Sequence, residues 1–296
     1  MNILVWLILC LIWSSTWIFI KIGLPYLPPI TFSAARFALA VLILAPLIKV
    51  LGFRMPSTAS EWRLIALTGF LQFSLNYSAV FWSEQYITSG LAAVLQATIT
   101  VFGLVLAWIF LPDERITKKK IGGVALGILG VAIIFIDQLR VEDRMAFLGC
   151  VAIVAGAYAA AQASILVKAK GSGLHPASLV FSQMLCGLPV IVAYALITEG
   201  NPFIHDWNWT AVGCVVYLTV AGTVAAFWLY YWLLSRIEST NAMMISLVTP
   251  LLAVVIGAIA LGETLPPQTF LGGLLIIGSI GMIVIGRNGK RKVESG

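Results

Sequence analysis

The sequence predicts an all-α membrane protein: ten transmembrane helices built as two inverted five-helix repeats around a central cavity. Three observations lead there. Of 296 residues, 60% are hydrophobic and 10% charged, with a mean hydropathy of +1.01. That is more apolar surface than one soluble core encloses, so most of it must face lipid or neighbouring spans. Second, the stretch from Ala242 to Gly262 carries no charge. At 1.5 Å per helical residue it reaches roughly 32 Å, enough to cross a ~30 Å hydrocarbon core. Third, this design occurs twice: Ala92, Thr100, Leu111 and Glu114 stand in for Ala242, Thr249, Ala260 and Glu263 at a nearly constant offset. Each copy is followed by a polar break and an apolar helix opening on Gly-Gly, at Gly122 and Gly272.

In chain order, the first span (3–22) opens MNILVWLILCLIW, without a basic n-region or an A-x-A site, and reads as a retained span rather than a signal peptide. The turn PYLPP leads to the second (30–50), followed by 64–83, 89–111 and 120–136. The second half repeats the series as 146–167, 176–197, 209–233, 241–262 and 268–286. At an offset of 147, Lys21 matches Lys168, Pro29 matches Pro176, and Arg36 falls on Gln183. At 150, Trp82, Ile87 and Ser89 fall on Trp232, Ile237 and Ser239. Two halves follow, 1–140 and 145–296. Because five is odd, the second copy enters the membrane from the opposite side, a recurring device for enclosing a midplane site.

Charge sets the orientation. Of the 18 Lys and Arg, 14 lie in alternate loops and the tail, which are thereby placed inside; Lys21, Arg140 and Arg144 lie outside and Arg36 within a span. Short loops with that bias put both termini in the cytoplasm. The tail RNGKRKVESG is the last such cluster and a contact for anionic lipid. The net charge of +6 is scattered over loops rather than gathered in an aromatic-laced patch, which excludes nucleic acid as a partner. Cys10, Cys150, Cys186 and Cys214 lie in apolar runs without metal-ligand spacing. No cofactor and no metal site are expected.

The Trp13-Ser14 start, Lys21, Pro29, Arg36 seven residues later, and the repeat ends Leu111-Pro112-Asp113-Glu114 and Leu261-Gly262-Glu263 resemble the EamA family of the drug/metabolite transporter superfamily. The resemblance covers essentially the whole chain. It implies ten helices, a cavity contributed mainly by the first, third, fourth, sixth, eighth and ninth, and movement of small metabolites, often amino acids and often outward. One departure is that the family's mid-span proline is present as Pro250, while its counterpart is Val101.

Polar atoms in hydrocarbon are costly unless paired or facing water, so span-centre polar residues are candidates for a substrate site. They are Trp13, Ser14 and Trp17 in the first span, Asn76 and Tyr77 in the third beside Gln72 and Ser83, and Gln96 and Thr100 in the fourth. Tyr158 and Gln162 follow in the sixth, Trp228 and Tyr231 in the eighth beside Thr223, and Ser246 in the ninth beside Thr249. Amides, hydroxyls and rings without a midplane carboxylate favour a neutral or zwitterionic solute with an apolar or cationic portion. Arg36 is read as an arginine stapling loop carbonyls at the outer rim, because its mate Gln183 hydrogen-bonds without charge; a carboxylate contact is the other reading. Lys21 is near enough to the outer end to snorkel or to pair with Glu84. Glu114 and Glu263 end helices and suit boundary packing, and His175 and His205 lie in loops.

Ala152, Gly156, Ala160 and Ser164 recur every fourth residue in the sixth span, and Gly123 with Gly127 forms a GxxxG, read as scaffold packing of the fifth and tenth spans. A monomer and a homodimer are both compatible with that. No H-E-x-x-H, nucleophile with a base, or P-loop occurs, so neither an intramembrane enzyme nor direct use of ATP is expected. The reading is a secondary or facilitative transporter of the bacterial cytoplasmic membrane, exporting amino acids or related metabolites by alternating access. The alternatives are proton-coupled efflux of lipophilic or quaternary cations, and uptake of a small metabolite.

Overall fold

A computed structural model describes residues 1–114, 116–141, 143–171, 173–261 and 267–291. Gly262, Glu263 and the last five residues of the basic tail, which carry expectations above, lie outside them. The helices are α1 (Asn2–Gly23), α2 (Pro29–Leu51), α3 (Ala59–Ser83), α4 (Ser89–Gln96 and Ile99–Phe110), α5 (Lys118–Ile134), α6 (Arg144–Lys170), α7 (Pro176–Thr198), α8 (Trp209–Leu234), α9 (Ser239–Met243 and Ile245–Leu261) and α10 (Pro267–Arg291). Among the described residues, eight of these are long and apolar enough to cross a membrane. The exceptions are α5, of 17 residues, and the apolar part of α10, Pro267–Ile283. At 1.5 Å per residue each of these reaches about 26 Å, the short end of what a span needs.

Local sequence sets the helix ends. Thr58 and Glu61 form a capping box at the start of α3, and Thr117, Asp143 and Asn208 each accept a backbone N–H at the start of α5, α6 and α8. Pro29 and Pro176 occupy the first turns of α2 and α7, where a missing N–H costs nothing. Gly52 ends α2 with φ of 63°, a left-handed turn that a side chain would resist.

Contacts between helix ends sort the loops into two groups. At one end Glu199 accepts from the backbone N–H groups of Ile30 and Thr31, Ser83 donates to the Gly149 carbonyl, and Gln268 donates to Asp137. At the other, the basic end, Glu114 meets Lys168 and Ser239, Lys120 meets Glu238, and His175 stacks on Phe53. Successive helices therefore alternate in direction.

Packing partners come largely from the opposite half of the chain. α1 lies on α8 and α9, and α6 lies on α3 and α4; α2 lies on α8, and α7 on α3; α2 touches α7 and α5 touches α10. Exchanging each helix for the one five places along reproduces this set. The backbone repeats too: α3 opens into a wide π-helical turn at Phe70–Asn76 and α8 does so at Val220–Ala225. Both α4 and α9 are interrupted within their first three turns, at Ala97–Thr98 and at Met244, although only α9 has the proline.

The glycines of α5 are consumed inside the chain. A Cβ at Gly123 or Gly127 would meet Ile283, Leu247 or Ser279, and one at Gly130 would fall 2.7 Å from the Gly272 carbonyl oxygen of α10.

Candidate functional site: a cavity between the two halves

A cavity of about 160 Å³ lies where both halves meet. Helix periodicity selects its lining. Trp13, Thr16, Trp17 and Ile20 recur at the three- and four-residue spacing of one face of α1, and Gln72, Asn76, Tyr77, Val80 and Phe81 do so on α3. Ala93, Gln96 and Ile99 of α4, Ala160 and Ser164 of α6, Phe227 and Tyr230 of α8, and Ala242, Ser246, Thr249 and Pro250 of α9 complete the ring, with Arg36 entering from α2. Every helix that the family resemblance implies is represented.

One wall is aromatic. The Trp13 ring meets Phe227 edge-on at 5.6 Å and Tyr230 at 5.4 Å, and Tyr77 faces Phe227 at 6.3 Å. Tyr230 donates to Ser164 Oγ at 3.2 Å, which fixes its ring. Another wall is polar: Gln96 Nε2 donates to Asn76 Oδ1 at 3.4 Å, leaving Gln96 Oε1 buried without a hydrogen-bond partner among the described residues. Pro250, which has no N–H to give to the carbonyl of Ser246 one turn earlier, lines the cavity together with Ser246.

Arg36 is not at the outer rim and staples no loop. It is 2% exposed, and its Nε donates to Thr223 Oγ1 while Nη2 donates to the Gly222 carbonyl at 2.9 Å. Gly222 is the midpoint of α8, inside its π-helical turn, and its carbonyl also accepts from Trp13 Nε1 at 3.3 Å. The guanidinium lies over the rings of Tyr77 and Phe37, 5.1 and 5.6 Å from their centroids. Insertion of such a charge costs about 2.5 to 3.5 kcal/mol, of which ring contacts return about 0.5 to 2 each.

Of the residues expected from sequence, the cavity brings together Trp13, Trp17, Asn76, Tyr77, Gln96 and Ser246. The other six lie elsewhere. Ser14 is turned about 60° from Trp17 around α1, is fully buried, and donates to the Cys10 carbonyl. Thr100 seams α4 to α9 through the Met243 carbonyl at 3.1 Å and Ser246 Oγ at 2.9 Å. Tyr158 and Gln162 occupy the face of α6 opposite Ala160 and Ser164; Tyr158 is 46% exposed and packs edge-on to Phe102. Trp228 is drawn to the basic end by Phe53 and His175, whose ring centroids lie 5.8 and 5.4 Å away. Tyr231 packs behind the lining rings Phe227 and Tyr230. The sequence reading missed Thr16, Ser164, Phe227 and Tyr230 as lining, although Thr16 and Ile20 stand one helical turn from Trp13 and Trp17.

Glu114 plays the boundary role expected of it. Its carboxylate, 6% exposed, accepts from Ser239 N at 2.9 Å and from Ser239 Oγ at 2.5 Å, capping α9 from the other half of the chain. Lys168 Nζ is 2.6 Å from it and also donates to the Ile237 carbonyl. Lys21, the mate of Lys168, is exposed and makes no ion pair with Glu84 among the described residues.

Glu84 lies in the turn after α3 with Oε1 buried and no hydrogen-bond partner, and burial pushes its carboxyl up to about 7. Below pH 4.5 native and unfolded chains both hold this proton. Between there and pH 7 the unfolded chain ionises first, so stability falls with rising pH and levels off above it. Glu84→Gln is expected to flatten that fall in thermal unfolding of the solubilised protein; an unchanged pH profile would contradict it.

A helical multi-pass membrane protein with a cavity of rings, amides and hydroxyls is the class that fold and site define. The chain belongs to the EamA-like transporter family, whose sequence model matches it over residues 1–136 and again over 147–285. It is similar to the "Uncharacterized transporter YoaV" of Bacillus subtilis, 25% identical with 90% of both chains covered. It is 26% identical to a "Probable amino-acid metabolite efflux pump" of Escherichia coli over 98% of this chain and 97% of that one. A "Probable terminal-alkyne amino-acid exporter" of Streptantibioticus cattleyicolor is 28% identical, with 96% of this chain and 93% of that one covered. A crystal structure with 14% identity superposes at a TM-score of 0.80 over 96% of each chain, a likeness of fold. The protein is accordingly a membrane transporter.

Proposed function

We propose that this transporter exports amino acids or related small metabolites across a bacterial cytoplasmic membrane by alternating access, as a secondary or facilitative carrier. In this reading ten helices form two inverted repeats, 1–140 and 145–296, and both termini are cytoplasmic. The observation that carries it is the cavity at the seam, to which α1, α3 and α4 of one half and their counterparts α6, α8 and α9 of the other all contribute. A site shared in this way is exposed to alternate sides when the halves rock. The packing set that survives exchange of the halves supports inversion, and the basic loops at one end support the orientation. The names of the Escherichia coli and Streptantibioticus cattleyicolor relatives support the solute class.

Purified protein in liposomes, offered labelled amino acids and quaternary amines with and without a pH gradient, tests the reading. Amino acid movement is expected. Movement of amines alone, abolished when the gradient is dissipated, would overturn it in favour of cation efflux. Trp17→Ala and Asn76→Ala are each expected to lower the transport rate at least tenfold at unchanged expression, a loss of about 1.4 kcal/mol. Unchanged rates in both would remove those side chains from the solute's path.

A further inference from the structure

We propose that Arg36 is the specificity-determining residue of the cavity and that the transported solute must bring a carboxylate to it; this rests on the transport reading above. Arg36 is the charged side chain in the lining, and no carboxylate accompanies it there among the described residues. None of the ion pairs among the described residues includes it. Its partners are neutral: Thr223 Oγ1 and the Gly222 carbonyl accept from it, Tyr77 makes a further side-chain hydrogen bond to it, and the faces of the Tyr77 and Phe37 rings lie against it. A guanidinium held at that depth with neutral partners is oriented but not neutralised, and a planar carboxylate is the anion whose geometry matches its fork of donors.

The surroundings say what such a carboxylate is attached to. Arg36 and Trp13 donate to the same carbonyl, that of Gly222, so the guanidinium and the indole stand side by side. Gly222 permits this because a Cβ there would lie 3.3 Å from Arg36 Nη2 and 2.7 Å from Thr16. A carboxylate on Arg36 therefore places the next atoms of its solute against the Trp13, Phe227 and Tyr230 rings. The class is an anionic or zwitterionic carboxylic acid with an apolar body, and the positive charge disfavours a solute that is only a cation.

The test uses isosteric pairs that differ in the carboxylate alone: leucine against leucinamide, and 3-phenylpropionate against 3-phenylpropionamide. Transport is measured in liposomes and binding by thermal stabilisation of the solubilised protein. Wild type is expected to prefer each acid at least tenfold over its amide. Arg36→Gln is expected to reduce that ratio to about one, and Arg36→Lys, which keeps charge without the fork, to retain part of it.

Thr223→Val removes the staple on α8 while keeping the guanidinium. If Arg36 served only to hold that turn, Thr223→Val would reproduce the loss seen in Arg36→Gln; retained acid preference in Thr223→Val supports recognition. A folded Arg36→Gln that keeps the preference overturns the proposal, as does a wild type that moves acids and amides equally, which leaves the transport reading standing. Stabilisation by acids over amides without any transport supports Arg36 and overturns the transport reading. Neither transport nor stabilisation by any probe overturns both.

Discussion

Glu114→Ala is expected to lower the thermal unfolding midpoint of the solubilised protein by the equivalent of about 3 kcal/mol, the lower end of what breaking a buried ion pair costs. The substitution leaves the half-buried Lys168 ammonium with one backbone carbonyl and takes the acceptor from both donors of Ser239. Three elements lose a shared anchor: the end of α4, the end of α6 and the start of α9. Glu114→Gln keeps an acceptor for Ser239 and is expected to lose less. Adding Lys168→Met to Glu114→Ala is expected to restore part of the loss, because it removes the stranded charge. Strict additivity of the two single effects would mean the pair is not coupled.

Gly272→Leu is expected to be comparably damaging, through backbone rather than charge. The α5 and α10 backbones approach so closely that a Cβ at Gly272 would lie 2.5 Å from the Gly130 carbonyl oxygen. Backbone cannot turn aside as a side chain does, so even Gly272→Ala is expected to cost about 1 to 3 kcal/mol, and leucine more. Gly281→Ala on the same helix is the control, since nothing lies within 4 Å of its Cβ. It is expected to be neutral or to stabilise by up to about 1 kcal/mol through helix propensity. Equal effects at the two glycines, read as thermal midpoints, would show that close approach is not what holds α10.

The span boundaries were legible because they depend on run length and on caps adjacent in sequence. The predicted 176–197 is observed as Pro176–Thr198 and 209–233 as Trp209–Leu234. The extra turn in α3, from Ala59 rather than 64, is set by the Thr58 and Glu61 box, a polar cap that hydropathy alone passes over. In the same way Asn76, Gln96 and Ser246 were found because an amide or hydroxyl in a span must go somewhere.

Which face each helix turns inward was not legible. A transmembrane helix is apolar all round, so its own pattern does not tell cavity from lipid, and Tyr158 could be told from Ser164 only by what α6 packs against. The sequence by itself determined an all-helical membrane chain and the position of nearly every turn, since these follow from local length, charge and capping. The tertiary structure alone decided that Arg36 reaches the middle of α8 rather than a loop, and that Trp228 leaves the cavity for Phe53 and His175. Both outcomes depend on partners more than fifty residues away, brought within reach by how the helices of the two halves cross.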